Sequence, residues 1–291
     1  MKIGLVDVDS HNFPNLSLMK ISSYHKQKGN TVEWASSLEH YDKVYMTKVF
    51  TFSKDDLQAY QCDELIQGGT GYNLDSKLPD EIENTMPDYS LYGIKNMAYG
   101  FLTRGCPRQC NFCIVGEKEG TQSIKVADLN NFWNGQKNIK LLDPNILACK
   151  DWEDLLKQLA DSKAYIDFTQ GLDIRLMTKE KAEAINNYKY KTLHFAWDNV
   201  DDHKTLDQLI KYRPFWRGRY KELRVYVLSN FNSTFEQDLY RIYKIREIGY
   251  DPFLMVYEKW NAPQKIKKLA RWCNSKFVFR ICEKFKDYKE V

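Results

Sequence analysis

"TRGCPRQCNFCIV", Thr103 to Val115, is the stretch that decides the fold of this chain. It sets Cys106, Cys110 and Cys113 within eight residues of a 291-residue protein that has only seven cysteines. Three thiols are odd in number for disulfides and one short of a closed tetrahedral zinc site. A zinc reading needs a fourth ligand. His194 is the nearest candidate by strand position, but it lies inside the apolar run "TLHFAW" and reads as a core histidine. A [4Fe–4S] cluster also ordinarily takes four thiolates, so three would leave one iron with open positions.

The segments around the loop narrow the choice. "MAYGFLT" before it reads as a strand, and five further strands follow: "NIKLLD", "AYIDFT", "TLHFAW", "LRVYVLS" and "DPFLMVY". Between them lie helical patterns: "KVADLNNFW", "WEDLLKQLADS", "TKEKAEAINNY", "HKTLDQLIKY" and "TFEQDLYRIYKIREIG". "APQKIKKLARWCNS" closes the series with Pro263 in its first turn. Each strand is apolar on both faces, as a parallel sheet covered by helices requires. Six strand–helix units predict a partial, open barrel over residues 96–274, with 275–291 as a carboxyl-terminal extension. In such folds chemistry sits on loops at the carboxyl ends of the strands. The cysteine loop follows the first strand and so falls on that face.

Ahead of this series, residues 1–73 also alternate. "KIGLVDV" reads as a strand and "LSLMKISSYHKQKG" as a helix stopped by Gly29. "TVEWAS" and "DKVYMTKVF" read as strands, and "DELIQGG" ends in a glycine turn. This predicts an α/β chain in which a small, doubly wound, Rossmann-like domain precedes the barrel. Residues 74–95, with two prolines and many acids, are the expected linker. Gly4 and Gly29 form no Gly-x-Gly-x-x-Gly loop, which argues against a nicotinamide dinucleotide.

Composition agrees with an ordinary globular protein: 43% hydrophobic, 14% aromatic and 28% charged. The net charge of +4 is unevenly spread. Residues 1–95 carry 9 Lys/Arg against 14 Asp/Glu, and the remainder 34 against 25. No apolar run reaches membrane-span length. The opening residues, broken by Asp7 and Asp9, read as a buried strand and not a signal peptide. A cytoplasmic location with reduced thiols is the expectation. Cys62, Cys149, Cys273 and Cys282 then read as scattered small core residues.

With these residues in view, the chain resembles the radical S-adenosylmethionine (SAM) enzymes. Cys106, Cys110 and Cys113, with aromatic Phe112 before the last cysteine, carry the resemblance. "TRGCP" running on to "CNFC" is similar to the branch with a cobalamin-binding-type domain in front of the barrel. The motif and strand order cover about residues 96–260, and residues 1–73 more loosely. The resemblance implies a [4Fe–4S] cluster whose open iron chelates the methionine part of SAM. It implies reductive cleavage of SAM to a 5′-deoxyadenosyl radical that abstracts hydrogen from a substrate not readable from the sequence. A one-electron donor such as flavodoxin or ferredoxin is the implied partner.

By strand position the resemblance also brings in other residues. Asp143 and Asn145 end the second strand, where the family commonly has Gly-Gly-Glu for the SAM amino group. That stretch is absent here, and "DPN" equally makes a turn. Gln170, Asp173 and Arg175 follow the third strand. An extended Asp173-x-Arg175 would put both on one face, as an anion site or a structural ion pair. Asp198 and Asn199 end the fourth strand, as ribose acceptors or helix caps. Leu228 to Asn230 end the fifth strand and offer backbone contacts to adenine and ribose, without the glycines and acid usual there. Tyr257 follows the sixth strand.

In the amino-terminal unit "DSHNFP" places Asp9 and His11 where cobalamin proteins carry Asp-x-His-x-x-Gly. Pro14 replaces the glycine, so a vestigial, cofactor-free domain is favoured over a cobalamin-binding one. Two other functions are thus carried forward: a cobalamin-dependent methyltransferase and an RNA-modifying protein. The latter rests on "KYRPFWRGRYKELR" (Lys211–Arg224), "KIKKLARW" and "KFVFRICEKFK", where basic and aromatic residues interleave. Cys273 and Cys282 are too few for an auxiliary cluster.

Overall fold

The computed structural model describes residues 1–10, 13–217 and 222–289; His11 lies outside the described residues, as do four residues of the basic stretch 211–224. The chain forms two compact units. Unit 1 is Met1–Gly100 with Leu129–Lys137, and unit 2 is Phe101–Asp128 with Asn138–Val291.

Unit 1 contains β1 (Lys2–Asp7), α1 (Leu16–Gln27), β2 (Thr31–Trp34), β3 (His40–Thr47), β4 (Gln61–Gly68), α2 (Asp80–Glu83) and β5 (Met97–Gly100). The first four strands make a parallel sheet in the order β2-β1-β3-β4. The apolar "IGLV" of β1 is buried throughout, as a central strand requires. Asn15 caps α1 by accepting from the Leu18 N–H, and Gly29 at φ 78° ends it. Leu18 and Ile21 of α1 pack on Ile3 and Leu5. The sheet is parallel, as expected, but it is not wound by helices on both faces. No helix joins β2 to β3 or β3 to β4. On that side Tyr60 and Tyr72, from loops, cover Val6, Tyr41, Val44 and Met46. The β2–β3 connection is too short for a helix, and aromatic side chains do its work.

The expected linker is folded. Ile82 joins the core of Ile3, Leu5, Leu18 and Ile21, and Leu78 and Leu91 pack against it. Apolar residues spaced without helical or strand period can still bury side chains, which is why periodicity missed them.

Unit 2 begins with β6 (Thr103–Arg104), α3 (Val115–Lys118) and β7 (Ile124–Lys125). It continues with β8 (Asn138–Leu141), α4 (Trp152–Ser162), β9 (Tyr165–Phe168), α5 (Lys179–Asn186), β10 (Lys189–Tyr190), β11 (Leu193–Ala196) and α6 (His203–Tyr212). Last come β12 (Leu223–Ser229), α7 (Phe235–Glu247), β13 (Asp251–Val256), α8 (Gln264–Asn274) and α9 (Lys276–Ile281). β8, β9 and β10 pair in parallel, and so do β11, β12 and β13. The anticipated strands are present, but β8 and β9, with the short unanticipated β10 beside β9, belong to one sheet and β11, β12 and β13 to another, instead of one continuous ladder. Where the ladder breaks, Gly171 at φ 94° turns the chain, and the Leu172 N–H donates to the His194 carbonyl at 2.7 Å. His194 is buried and stacked on Tyr226, a core histidine as read.

One helical expectation changes. "KVADLNNFW" holds only a short 3-10 turn, Leu129–Asn131, because Asp128 and the paired asparagines favour turns over helix. The extension after residue 274 packs onto the unit: Phe279 is buried with its ring 4.7 Å from that of Trp272. In the basic stretch Trp216 is buried against Phe195 and Tyr250, and Tyr212 is buried beside Trp216, so these two aromatics are core and not a stacking surface. Cys149 and Cys273 are core residues, whereas Cys62 and Cys282 are half-buried. Among the described residues, no helix is long and apolar enough to cross a membrane.

Candidate functional site

The cysteines lie on one loop of unit 2, closed at its feet by the β6–β7 pairing. The Cys106 N–H donates to the Gly120 carbonyl at 3.0 Å, and the Cys113 N–H to the Cys110 carbonyl at 2.9 Å. Gly105 enters the loop at φ 83°, and a Cβ there would stand 2.1 Å from the Gln122 carbonyl oxygen. Only glycine meets both conditions. Arg104 and Glu119 brace the feet through two 2.8 Å bonds, and the Arg104 guanidinium sits 4.0 Å over the Phe101 ring.

Asp143, at the end of β8, holds the strand into this loop. Its carboxylate accepts from the Leu102 and Thr103 N–H groups and from the Thr103 hydroxyl at 2.7 Å. Burial pushes its pKa up to about 6, against the pull of these donors. The "DPN" stretch therefore works as a fastening of the cysteine loop.

Asn145 reaches the loop itself. Its Nδ2 donates to Cys106 Sγ at 3.5 Å and to Asp173 Oδ2 at 3.3 Å, while its buried Oδ1 has no hydrogen-bond partner among the described residues. Asp173 stands between two arginines: Arg108 Nε donates to Oδ2 at 2.6 Å and Arg175 Nε to Oδ1 at 2.8 Å. Burial opposes its charge, yet the two guanidiniums hold its carboxyl below the usual range. The expected extended geometry is absent. Asp173 caps a 3-10 turn, Ile174–Leu176, and the pair meets because that turn folds Arg175 back. Arg175 continues to Asp202 at 3.0 Å, so the ion pairs run Arg108–Asp173–Arg175–Asp202. Arg108 ties the cysteine loop into this series, and Asp202 also caps α6.

Beside Cys110 lies a cavity of about 240 Å³, lined by Cys110, Phe112, Arg175, Asp198, Asn199, Asp202 and Phe231 among others. Burial raises the Cys110 thiol, and Arg175 pulls it back. Asp198 is pushed up to about 6 by burial, with Arg241 and Arg175 opposing. Asn199 is exposed and its Oδ1 turns back to the Asp201 N–H. Phe112 packs edge-on to Phe231, which meets Tyr257 at 5.0 Å.

The structure thus gathers Cys110, Phe112, Arg175, Asp198 and Asn199 around one cavity. Cys106, Asn145 and Asp173 meet one another and do not line that cavity. Gln170 is exposed and outside both groups. The Leu228 carbonyl is taken by Arg241 at 2.7 Å, and the Asn230 side chain by the Tyr257 carbonyl at 2.8 Å. Arg108, Asp202, Phe231 and Arg241 were not anticipated. Arg108 had one visible signal, a guanidinium inside the cysteine loop itself.

Three free thiols on one loop, with Asn145 donating to a sulfur, match the donor chemistry and supporting hydrogen bonds of an iron–sulfur ligand set. Among the described residues, no three His, Cys, Asp or Glu side chains are already gathered into a metal-holding group.

No protein-family model matches the chain, and no curated protein matches it. Among solved structures it is similar to the crystal structure of Streptococcus suis SuiB bound to precursor peptide SuiA, at 14% identity and a TM-score of 0.46. The match covers 65% of this chain and 47% of that one, so the chain spans about half of that protein's length.

Proposed function

We propose that the chain is a radical SAM enzyme whose cluster is held by Cys106, Cys110 and Cys113. The observation that carries this reading is that one thiol of the three-cysteine loop opens onto a cavity that also holds Arg175 and Asp198. A bound [4Fe–4S] cluster would supply one-electron cleavage of SAM. The chain's own residues bind and orient. Asn145 Oδ1, buried and without a hydrogen-bond partner among the described residues, is the acceptor offered to the SAM amino group beside Cys106. Arg175 offers donors to its carboxylate, and Asp198 accepts from a ribose hydroxyl. Phe112 and Phe231, edge to face at 5.6 Å, give the cavity an apolar side. Asp143 and Arg108 position the loop and touch no ligand. A flavodoxin- or ferredoxin-type donor supplies the electron.

Anaerobic reconstitution should load about four irons per chain and give a brown protein that converts SAM to 5′-deoxyadenosine under a strong reductant. Cys110→Ala should lose iron and product, while Cys282→Ala, far from the loop in sequence, should keep both. A colourless protein that takes one zinc, or equal loss in both variants, would overturn the reading. Nothing in the described geometry favours the cobalamin or RNA alternatives: His11 lies outside the described residues, and Tyr212 and Trp216 are buried.

A further inference from the structure

Unit 1 has a crevice of about 560 Å³ at the carboxyl ends of β1 and β2, distinct from the cysteine loop. Its walls are aromatic. Trp34 meets Tyr92 edge-on at 5.2 Å, Phe13 meets Tyr99 in the same way at 5.2 Å, and Tyr60 closes another side. Trp34 is 42% exposed and Phe13 39%, so large apolar surface is left toward water at the mouth.

The floor is acidic. Asp7 accepts from the Ser10 N–H at 3.0 Å and the Tyr92 hydroxyl at 2.6 Å. Asp56, also on the lining, accepts from the Gln58 N–H at 2.8 Å and the Tyr60 hydroxyl at 2.9 Å. All four donors are uncharged. Among the described residues no Lys, Arg or His lines this crevice, and none pairs with either carboxylate. Each carboxylate therefore has only uncharged donors among the described residues, and spare lone pairs.

The combination selects a ligand by its sign. Two carboxylates with no cationic partner among the described residues disfavour phosphate, so a nucleotide or nucleotide-tailed cofactor does not suit the crevice. Ring faces attract cations, most strongly when several surround one site and a carboxylate sits behind them. We propose that this crevice binds an organic cation, an ammonium or guanidinium group, with Trp34 and Tyr92 against it and Asp7 as counter-charge. The group belongs either to a small free cation or to a lysine or arginine side chain of a peptide. This site stands independently of the radical SAM reading.

The full chain would be titrated, at fixed ionic strength, with tetramethylammonium and methylguanidinium. Their neutral counterparts, tert-butanol and N-methylurea, would be run beside them, with saturation-transfer NMR as the readout. The cations should bind saturably and the neutral probes about tenfold more weakly or worse, as one cation–π contact plus a counter-charge implies. Trp34→Ala and Asp7→Asn should each weaken the cations by about tenfold, and Trp34→Phe should restore most of the loss. Unchanged far-ultraviolet dichroism would show that the variants fold. Acetyl-Gly-Lys-Gly-amide binding more tightly than butylammonium would mark a peptide as the source; equal binding would mark a free cation. Neutral probes binding as well as cations, wild-type affinity in both Trp34→Ala and Asp7→Asn, or no saturation at millimolar probe would each overturn the proposal.

Discussion

A buried carboxylate is costly unless donors meet it, and Asp143 shows how that cost sets a loop. Three donors of Leu102 and Thr103 converge on its oxygens, three residues before Cys106. Asp143→Asn would turn an amide donor toward those donors, leaving buried groups unpaired at about 1–3 kcal/mol. Denaturant unfolding should show that loss at neutral pH. The pH dependence has a defined sign. The folded pKa, about 6, lies above the ordinary 3.8, so between these values the folded state holds the proton and the unfolded state does not. Asp143 therefore contributes stability that is complete below about pH 4 and fades as pH rises through 6, by roughly 3 kcal/mol at most. Asp198 follows the same course. The stability difference between wild type and Asp143→Asn should shrink from pH 4 to pH 7; a difference flat across that range would refute the assignment.

At the scale of elements, one side chain of α7 holds two strand ends. Arg241 is fully buried; its Nη1 donates to the Trp197 carbonyl at 2.8 Å, and its Nη2 to the Leu228 carbonyl and to Asp238. These carbonyls end β11 and β12, beside Asp198 and Asn230. Removing one partner leaves the other charge buried alone, so Arg241→Met or Asp238→Leu should each cost about 3–5 kcal/mol. The double variant should recover much of that loss in a double-mutant cycle; strict additivity would mean the pair is no unit. None of this pairing was legible in the sequence. Apolar runs mark "TLHFAW" and "LRVYVLS" as strands because period and residue type report burial. They do not report what covers a face, and so the loop tyrosines over the first sheet and the break between β9 and β11 were missed. The site divides in the same way. Cys106, Cys110 and Cys113 are neighbours in the chain and can be read together. Arg108 meets Asp173 across 65 residues, a contact that only tertiary packing creates.

At the scale of the whole molecule, unit 1 recruits a segment from the middle of the chain, and that constrains where the protein can be cut. Leu129 and Phe132 are buried within unit 1, although nearly thirty residues separate them from β5. A Cβ on Gly100 would stand 2.2 Å from the Phe132 ring, and the Tyr89 hydroxyl donates to the Phe132 carbonyl at 2.5 Å. A chain beginning at residue 101 would keep 129–137 but lose the surface they pack on. Exposing a phenylalanine of this kind forfeits about 1.5–3 kcal/mol and presents an apolar patch to neighbouring molecules. The shortened chain should bind a hydrophobic dye, melt below the intact protein and aggregate, and Phe132→Ser within it should reduce both dye binding and aggregation. In the intact chain the same substitution should destabilise, because there the ring is buried. This reversal of sign separates a packed segment from a tether. A shortened chain that melts at the intact temperature without dye binding would show that 129–137 has no structural debt to residues 1–100.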